Sequence, residues 1–310
     1  MFTLTRLRSL VPRSILGRTA LGASLIYAGC VGALWAVHRS LIFPAPKSGL
    51  APTLSGTTML KLDAEGSDVI ALYAPPAAEP AKELRAFARP SKVSVGKGGM
   101  VVFFHGNGQE LVDLSWLARA LMDRGLGIMF VEYPGYGVAK GRPSEASIYF
   151  AAKRALDELA RLGITQDQVT LVGQSLGSGV AVEMARSGYG SKLLLISPFT
   201  SMVDMVQRFA PILPVRSIVK DRFDSAAKAK EIKIETVIVH GSKDSLVPAA
   251  MGRALAAEIR NATFVSLEGA GHNDVFASRG LDGTPSQLLE LMVKLAKRGE
   301  ENLRPNPLAN

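Results

Sequence analysis

The sequence predicts an α/β architecture, a mainly parallel sheet flanked by helices and preceded by one apolar N-terminal helix, and three observations carry this. From about residue 57 apolar runs alternate with amphipathic stretches. Several of those runs hand over to glycine loops, as in FFHGNG at 103–108. Residues 19–37, TALGASLIYAGCVGALWAV, carry no charge at all. With 310 residues, 47% of them hydrophobic, the chain can bury a substantial core.

The uncharged segment approaches the ~20 residues that a helix needs to cross a bilayer. Arg6, Arg8, Arg13 and Arg18 precede it, while Arg39 and Lys47 follow. The excess of positive charge before the span places the N-terminus in the cytoplasm and the body of the chain outside, in the periplasm if the chain is bacterial. Residues 1–18 thus read as a basic lead, 19–37 as an uncleaved transmembrane anchor and 38–54 as a linker. Trp35 suits an interfacial anchor, and Pro44 and Pro46 should end the helix. Two other readings stay open: a cleaved signal peptide, giving a secreted protein, and a mitochondrial presequence, because the start bears Arg and Ser but no acid.

The same charge distribution argues against nucleic acid as a partner. Six Lys/Arg and no acid lie in residues 1–47, so 30 basic residues stand against 27 acidic ones in the remainder, only +3 of the total +9. No basic stripe interleaves with aromatics there. The single cysteine, Cys30, forms no intramolecular disulfide and builds no metal framework. No P-loop, dinucleotide fingerprint or metal-ligand cluster is present, so no cofactor is expected.

Taken in order, TTMLKLDA and DVIALYAPP read as two opening strands. Residues 75–98, rich in Ala, Pro, Lys and Glu, read as an exposed excursion. GMVVFFHGNG is a buried strand and loop, and ELVDLSWLARALMDRG has the i, i+3, i+4 apolar spacing of a helix. GIMFVEYPGYG is the next strand and turn, followed by a helix N-capped by Ser144. Strand QVTLVG, a glycine turn and a helix come next, then strand KLLLIS, an irregular segment over 199–232, and strand ETVIVHG. A helix from near Pro248, strand ATFVSLEG, a final helix PSQLLELMVKLAKR and a tail at 299–310 complete the chain.

The turn between strand QVTLVG and its helix reads GQSLG at 173–177, which fits G-x-S-x-G in the strand-to-helix context that the motif requires. A serine on so sharp a turn is pushed above the sheet edge, and Gly173 and Gly177 remove side chains that would collide. Ser178 reads as a packing residue. Serine needs a base, and the base an orienting acid. Of the four histidines, His38 flanks the apolar segment, while His105 and His240 end strands and should fix loops. His272, in EGAGHND after the last strand, completes the order Ser, acid, His. Asp244, in HGSKDSLVP, lies on the same sheet edge and is the expected acid, with Asp204 in reserve and Asp274 bracing the loop. Backbone N–H groups of Asn107, or Gly106, and of Leu176 would form the oxyanion hole.

FFHGNG, EYPGYG, GQSLGSG, HGSKD and GAGHND, in this order, resemble the α/β-hydrolase serine hydrolases over residues 55–298. Within them the chain is similar to the short-capped subgroup of membrane-associated depalmitoylating thioesterases and bacterial single-span relatives. The resemblance implies an α/β-hydrolase fold with a small cap at 199–232, Ser175 as nucleophile, Asp244 as acid, His272 as base, and Asn107 and Leu176 as oxyanion donors. One departure is Glu132, where relatives often carry Asp, and it reads as structural, with Tyr136 at the pocket rim. The N-terminal cysteine cluster of the thioesterases is absent.

Met202, Met205, Phe209, Ile212, Leu213 and Val215 either line an acyl pocket or seal the cap onto the core. The expected activity is hydrolysis of a carboxylic ester or thioester of a small acyl or lipid-like substrate through an acyl-enzyme. Two rivals use the same fold: a membrane-tethered binding or scaffold protein without catalysis, and a peptidase or amidase.

Overall fold

The computed structural model describes residues 15–62, 68–77, 98–276 and 286–297. Most of the basic lead and of the 75–98 excursion, and the tail at 299–310, lie outside the described residues. Helix α1 (Ile15–Ile42) leads to strands β1 (Thr58–Lys61), β2 (Ile70–Ala74) and β3 (Met100–Phe104). Then come α2 (Ser115–Met122), β4 (Gly127–Glu132), α3 (Glu145–Arg161), β5 (Val169–Gln174), α4 (Leu176–Arg186) and β6 (Lys192–Ile196). Three short helices, α5 (Met202–Phe209), α6 (Val215–Ile218) and α7 (Ser225–Lys228), precede β7 (Glu235–Gly241), α8 (Ala249–Glu258), β8 (Ala262–Leu267) and α9 (Gln287–Lys297).

The eight strands form one sheet in the order β1-β2-β4-β3-β5-β6-β7-β8. Only the β1–β2 and β2–β4 pairs are antiparallel, and β4 through β8 run parallel. Strand β3 shows why the sheet is covered on both faces. Met100, Val102 and Phe104 pack with residues of α3, α4 and α8, whereas Val101 and Phe103 pack with those of α2 and α9. The chain reverses its direction across the sheet at β3, going first to β4 and then back past β3 to β5. That reversal leaves a crevice at the carboxyl ends of β3 and β5, the usual place for a ligand in an open parallel sheet.

Two expectations are modified. The stretch 110–125 is a 3-10 turn at Leu111–Leu114 followed by α2, and the turn is started by a capping box in which the Asp113 carboxylate accepts from the Glu110 N–H, 2.9 Å. The segment 38–54 does more than link. α1 continues to Ile42, Ile42 and Phe43 are buried in the core, and the Ser48 N–H and Oγ donate to the Glu110 carboxylate at 2.8 and 2.6 Å. Over Thr19–Ile42, α1 is apolar and long enough to cross a membrane. From Tyr27 onward it also rests on the 199–232 segment: Tyr27 Oη donates to the Ile212 carbonyl, 3.1 Å, and Arg39 Nε to buried Asp221, 2.9 Å. Asp221 accepts from the Glu145 N–H as well, 2.9 Å, and so joins α1 to the start of α3.

Candidate active site

Ser175 stands between β5 and α4 with φ 50° and ψ −115°, a left-handed geometry that a non-glycine residue adopts only under constraint. The constraint is visible on both sides. The Ser175 N–H donates to the Ile196 carbonyl, 2.9 Å, and the Ser175 carbonyl accepts from the Ser178 N–H and Oγ at 2.9 and 2.6 Å. A Cβ on Gly173 would run into the backbone of Gly177, and one on Gly177 into the carbonyl of Phe104. The two glycines let the turn close, and Ser178 holds it by hydrogen bonding, a more specific part than packing alone.

Asp244 and His272 come from neighbouring loops tied together by backbone. After β7, the Ser242 and Lys243 N–H groups donate to the carbonyls of Leu267 and Ala270, each at 2.9 Å. This zipper sets the two side chains facing one another. The His272 Nδ1–H donates to Asp244 Oδ2 at 2.7 Å, and Ser175 Oγ donates to His272 Nε2 at 3.0 Å. Because Nδ1 faces a carboxylate, the neutral ring carries its proton there and leaves Nε2 as the acceptor.

The Asp244 side chain is fully buried. Burial on its own raises its pKa, but hydrogen bonds from His240, His272 and the Val247 N–H outweigh that and hold the carboxyl well below the usual range. Asp204, the reserve acid, accepts from Thr200 Oγ1, 2.7 Å, near the start of α5, and Asp274 accepts from the Gly271 N–H and braces the loop.

The loop after β3 lies beside the serine, close enough that a Cβ on Gly106 would stand 3.7 Å from Ser175 Cβ. The Gly106 N–H is taken by Gln109 Oε1, 2.7 Å, which favours Asn107 over Gly106 as the donor of this loop. Leu176 is the first residue of α4, where a backbone N–H has no intrahelical acceptor. The Asn107 side chain is clamped: Nδ2 donates to the Ile42 carbonyl at the end of α1, and Oδ1 accepts from Tyr136 Oη, 2.6 Å. Burial, reinforced by the nearby Glu132 charge, pushes the Tyr136 phenol up, so it stays a donor.

Sequence reasoning gave His105 and His240 as loop-fixing residues and Glu132 as structural, but not the partners that they take. His105 is fully buried, with Nδ1 on the Gly106 carbonyl, 2.8 Å, and Nε2 on Glu132 Oε1, 2.9 Å. Glu132 Oε2 accepts from the Leu111 N–H, 3.1 Å, and Tyr133 Oη donates to the His105 carbonyl, 2.9 Å. Glu132 therefore knits the HGNG loop to the turn after β4. His240 donates Nε2–H to the Val247 carbonyl, 2.8 Å, and lies 3.4 Å from Asp244 Oδ2. Its i, i+4 spacing from Asp244 in HGSKD is the only trace of this in the sequence. Within the cap segment, Val215 is buried in the core, Leu213 packs against it and Ile212 is exposed, while Met202, Met205 and Phe209 border a cavity.

A model of the alpha/beta hydrolase family matches residues 101–234. Among solved structures, an esterase from Thermogutta terrifontis superposes with a TM-score of 0.59 at 17% identity, covering 82% of this chain and 98% of its own. The chain thus has the α/β-hydrolase fold, with the same mainly parallel sheet flanked by helices. Its relatives are more particular. It is 29% identical over 253 residues to the uncharacterized protein Rv2307c of Mycobacterium tuberculosis, covering 81% of this chain and 86% of that one. It is 32% identical over 178 residues to human alpha/beta hydrolase domain-containing protein 17B, covering 56% and 60% respectively.

Proposed function

We propose that the chain is a serine hydrolase that cleaves a carboxylic ester or thioester of an acyl or lipid-like substrate. One observation carries the reading: Ser175 Oγ, the His272 ring and the Asp244 carboxylate lie in one hydrogen-bonded line, at 3.0 and 2.7 Å. His272 Nε2 takes the proton of Ser175 Oγ as the oxygen attacks the substrate carbonyl carbon. Asp244 steadies the imidazolium that results. The oxyanion is met by the N–H groups of Asn107 and Leu176, the latter at the positive end of α4. His272 then returns the proton to the leaving oxygen or sulfur, which departs and leaves an acyl-Ser175. Water, deprotonated by the same nitrogen, attacks the acyl carbon, and His272 returns the proton to Ser175 Oγ as the acid departs. The aligned distances favour hydrolysis over a scaffold that kept the fold and lost the alignment. α1 serves as the membrane anchor, with the hydrolase body on the side away from the basic lead.

The Thermogutta esterase carries a phosphoramyl group from tabun in its solved structure, so an organophosphorus probe suits the test. A fluorophosphonate should label the full-length protein on the peptide containing Ser175, with labelling and p-nitrophenyl ester turnover both lost in a folded Ser175→Ala variant. Label that persists in that variant, or maps elsewhere, would overturn the reading.

A further inference from the structure

We infer that α1 is one wall of the acyl-binding cavity as well as a tether, so that the substrate's chain lies between the membrane helix and the cap. The inference rests on the hydrolase reading and adds where the acyl group goes. A cavity of about 290 Å³ runs between the second half of α1 and α5. Leu34, His38 and Leu41 line it from one face of α1, at helical spacing, and Met205 and Phe209 face them from α5. One further lining residue is decisive: the cavity reaches Asn107, whose backbone is the proposed oxyanion donor and whose side chain is bonded to Ile42 of α1. A chain lying here would therefore reach the residue proposed to hold the oxyanion.

Two further features mark this space as a binding surface rather than a packing seam. His38 is 8% exposed and donates Nδ1–H to the Trp35 carbonyl, 2.7 Å, yet its buried Nε2 has no partner among the described residues. A sealed seam leaves that acceptor desolvated with nothing gained, whereas a ligand or its water can satisfy it. Leu41 and Phe209, both on the lining, are 66% and 69% exposed, so apolar side chains frame the mouth. On a helix that enters a bilayer, such a mouth opens toward lipid, the phase in which a long acyl chain already resides.

The test uses the full-length protein in phospholipid nanodiscs and p-nitrophenyl esters from acetyl to dodecanoyl. Leu34→Trp and Leu41→Trp, which fill the cavity from the α1 side, should lower kcat/KM for decanoyl relative to acetyl by about tenfold, since each buried methylene is worth roughly fourfold. Leu34→Ala should shift the preference the opposite way, toward longer chains. Misfolding cannot produce opposite shifts. Ala36→Trp, on the exposed face of the same helix, should keep the unsubstituted profile. An unchanged decanoyl-to-acetyl ratio in the three cavity variants, with Ser175-dependent turnover intact, overturns the inference and leaves the hydrolase reading standing. Absence of Ser175-dependent turnover in the unsubstituted protein overturns both.

Discussion

Ser175 concentrates the conflict between stability and chemistry in one residue. Its φ of 50° is a cost that glycine would escape, because glycine adopts the mirror-image backbone freely. Ser175→Gly should therefore unfold later in urea than Ser175→Ala, by about 1 kcal/mol, although neither retains the proposed nucleophile. Equal stabilities would mean that the backbone is not strained in solution. Asp244 gives a second residue-scale expectation through pH. Its folded pKa is depressed, so its contribution to stability is fully present above the unfolded value near 3.8 and is lost as pH falls through the folded one. The unsubstituted protein should show a loss of stability below about pH 4 that Asp244→Asn lacks, read from thermal unfolding across an acid series. The serine was legible because a local rule, glycines two residues either side of it, reports a local geometry. Asn107 was legible only in part: its clamp joins residues 65 and 29 positions away, and no motif encodes that.

At the scale of elements, periodicity identified the strands that are buried on both faces, because a run such as MVVFF has no other economical place in a soluble body. It did not show how α1 ends. A hydrophobic stretch of membrane length looks the same whether its last turns emerge into water or onto protein, and here they dock on the cap through side chains that are polar in the sequence. Asp221 is the pivot, 5% exposed and bonded to both Arg39 and the Glu145 N–H at the start of α3. Its two bonds are unequal. Arg39 is half exposed and its ion pair is screened, so Arg39→Ala should cost no more than about 1 kcal/mol. Asp221→Ala also orphans the first N–H of α3 and should cost about 1–3 kcal/mol. Thermal unfolding of the two variants in one detergent checks the order, and a reversed order would contradict the docking described.

On the scale of the whole molecule, the sheet brings together three side chains separated by as many as 97 positions, and it does so by one topological device. Strands β3, β5, β7 and β8 run parallel, so the loops at their carboxyl ends share one edge, and each carries one residue of the proposed site: Asn107, Ser175, Asp244 and His272. That much follows from the alternation of strand and helix in the sequence. The support beneath it, Glu132 with His105 and His240 with Asp244, did not, because buried hydrogen bonds leave no periodic signature.

A set of groups that acts as one machine has a kinetic signature that independent groups lack, and it is the most direct test available. Turnover of a short p-nitrophenyl ester should be measured for Ser175→Ala, His272→Ala and the double variant, each shown to be folded. Interdependence predicts that either single change costs a factor on the order of 10⁴–10⁶ in kcat and that the double variant is no slower than the worse single one. Losses that multiply in the double variant, or a Ser175→Ala protein that keeps its activity, would contradict the account.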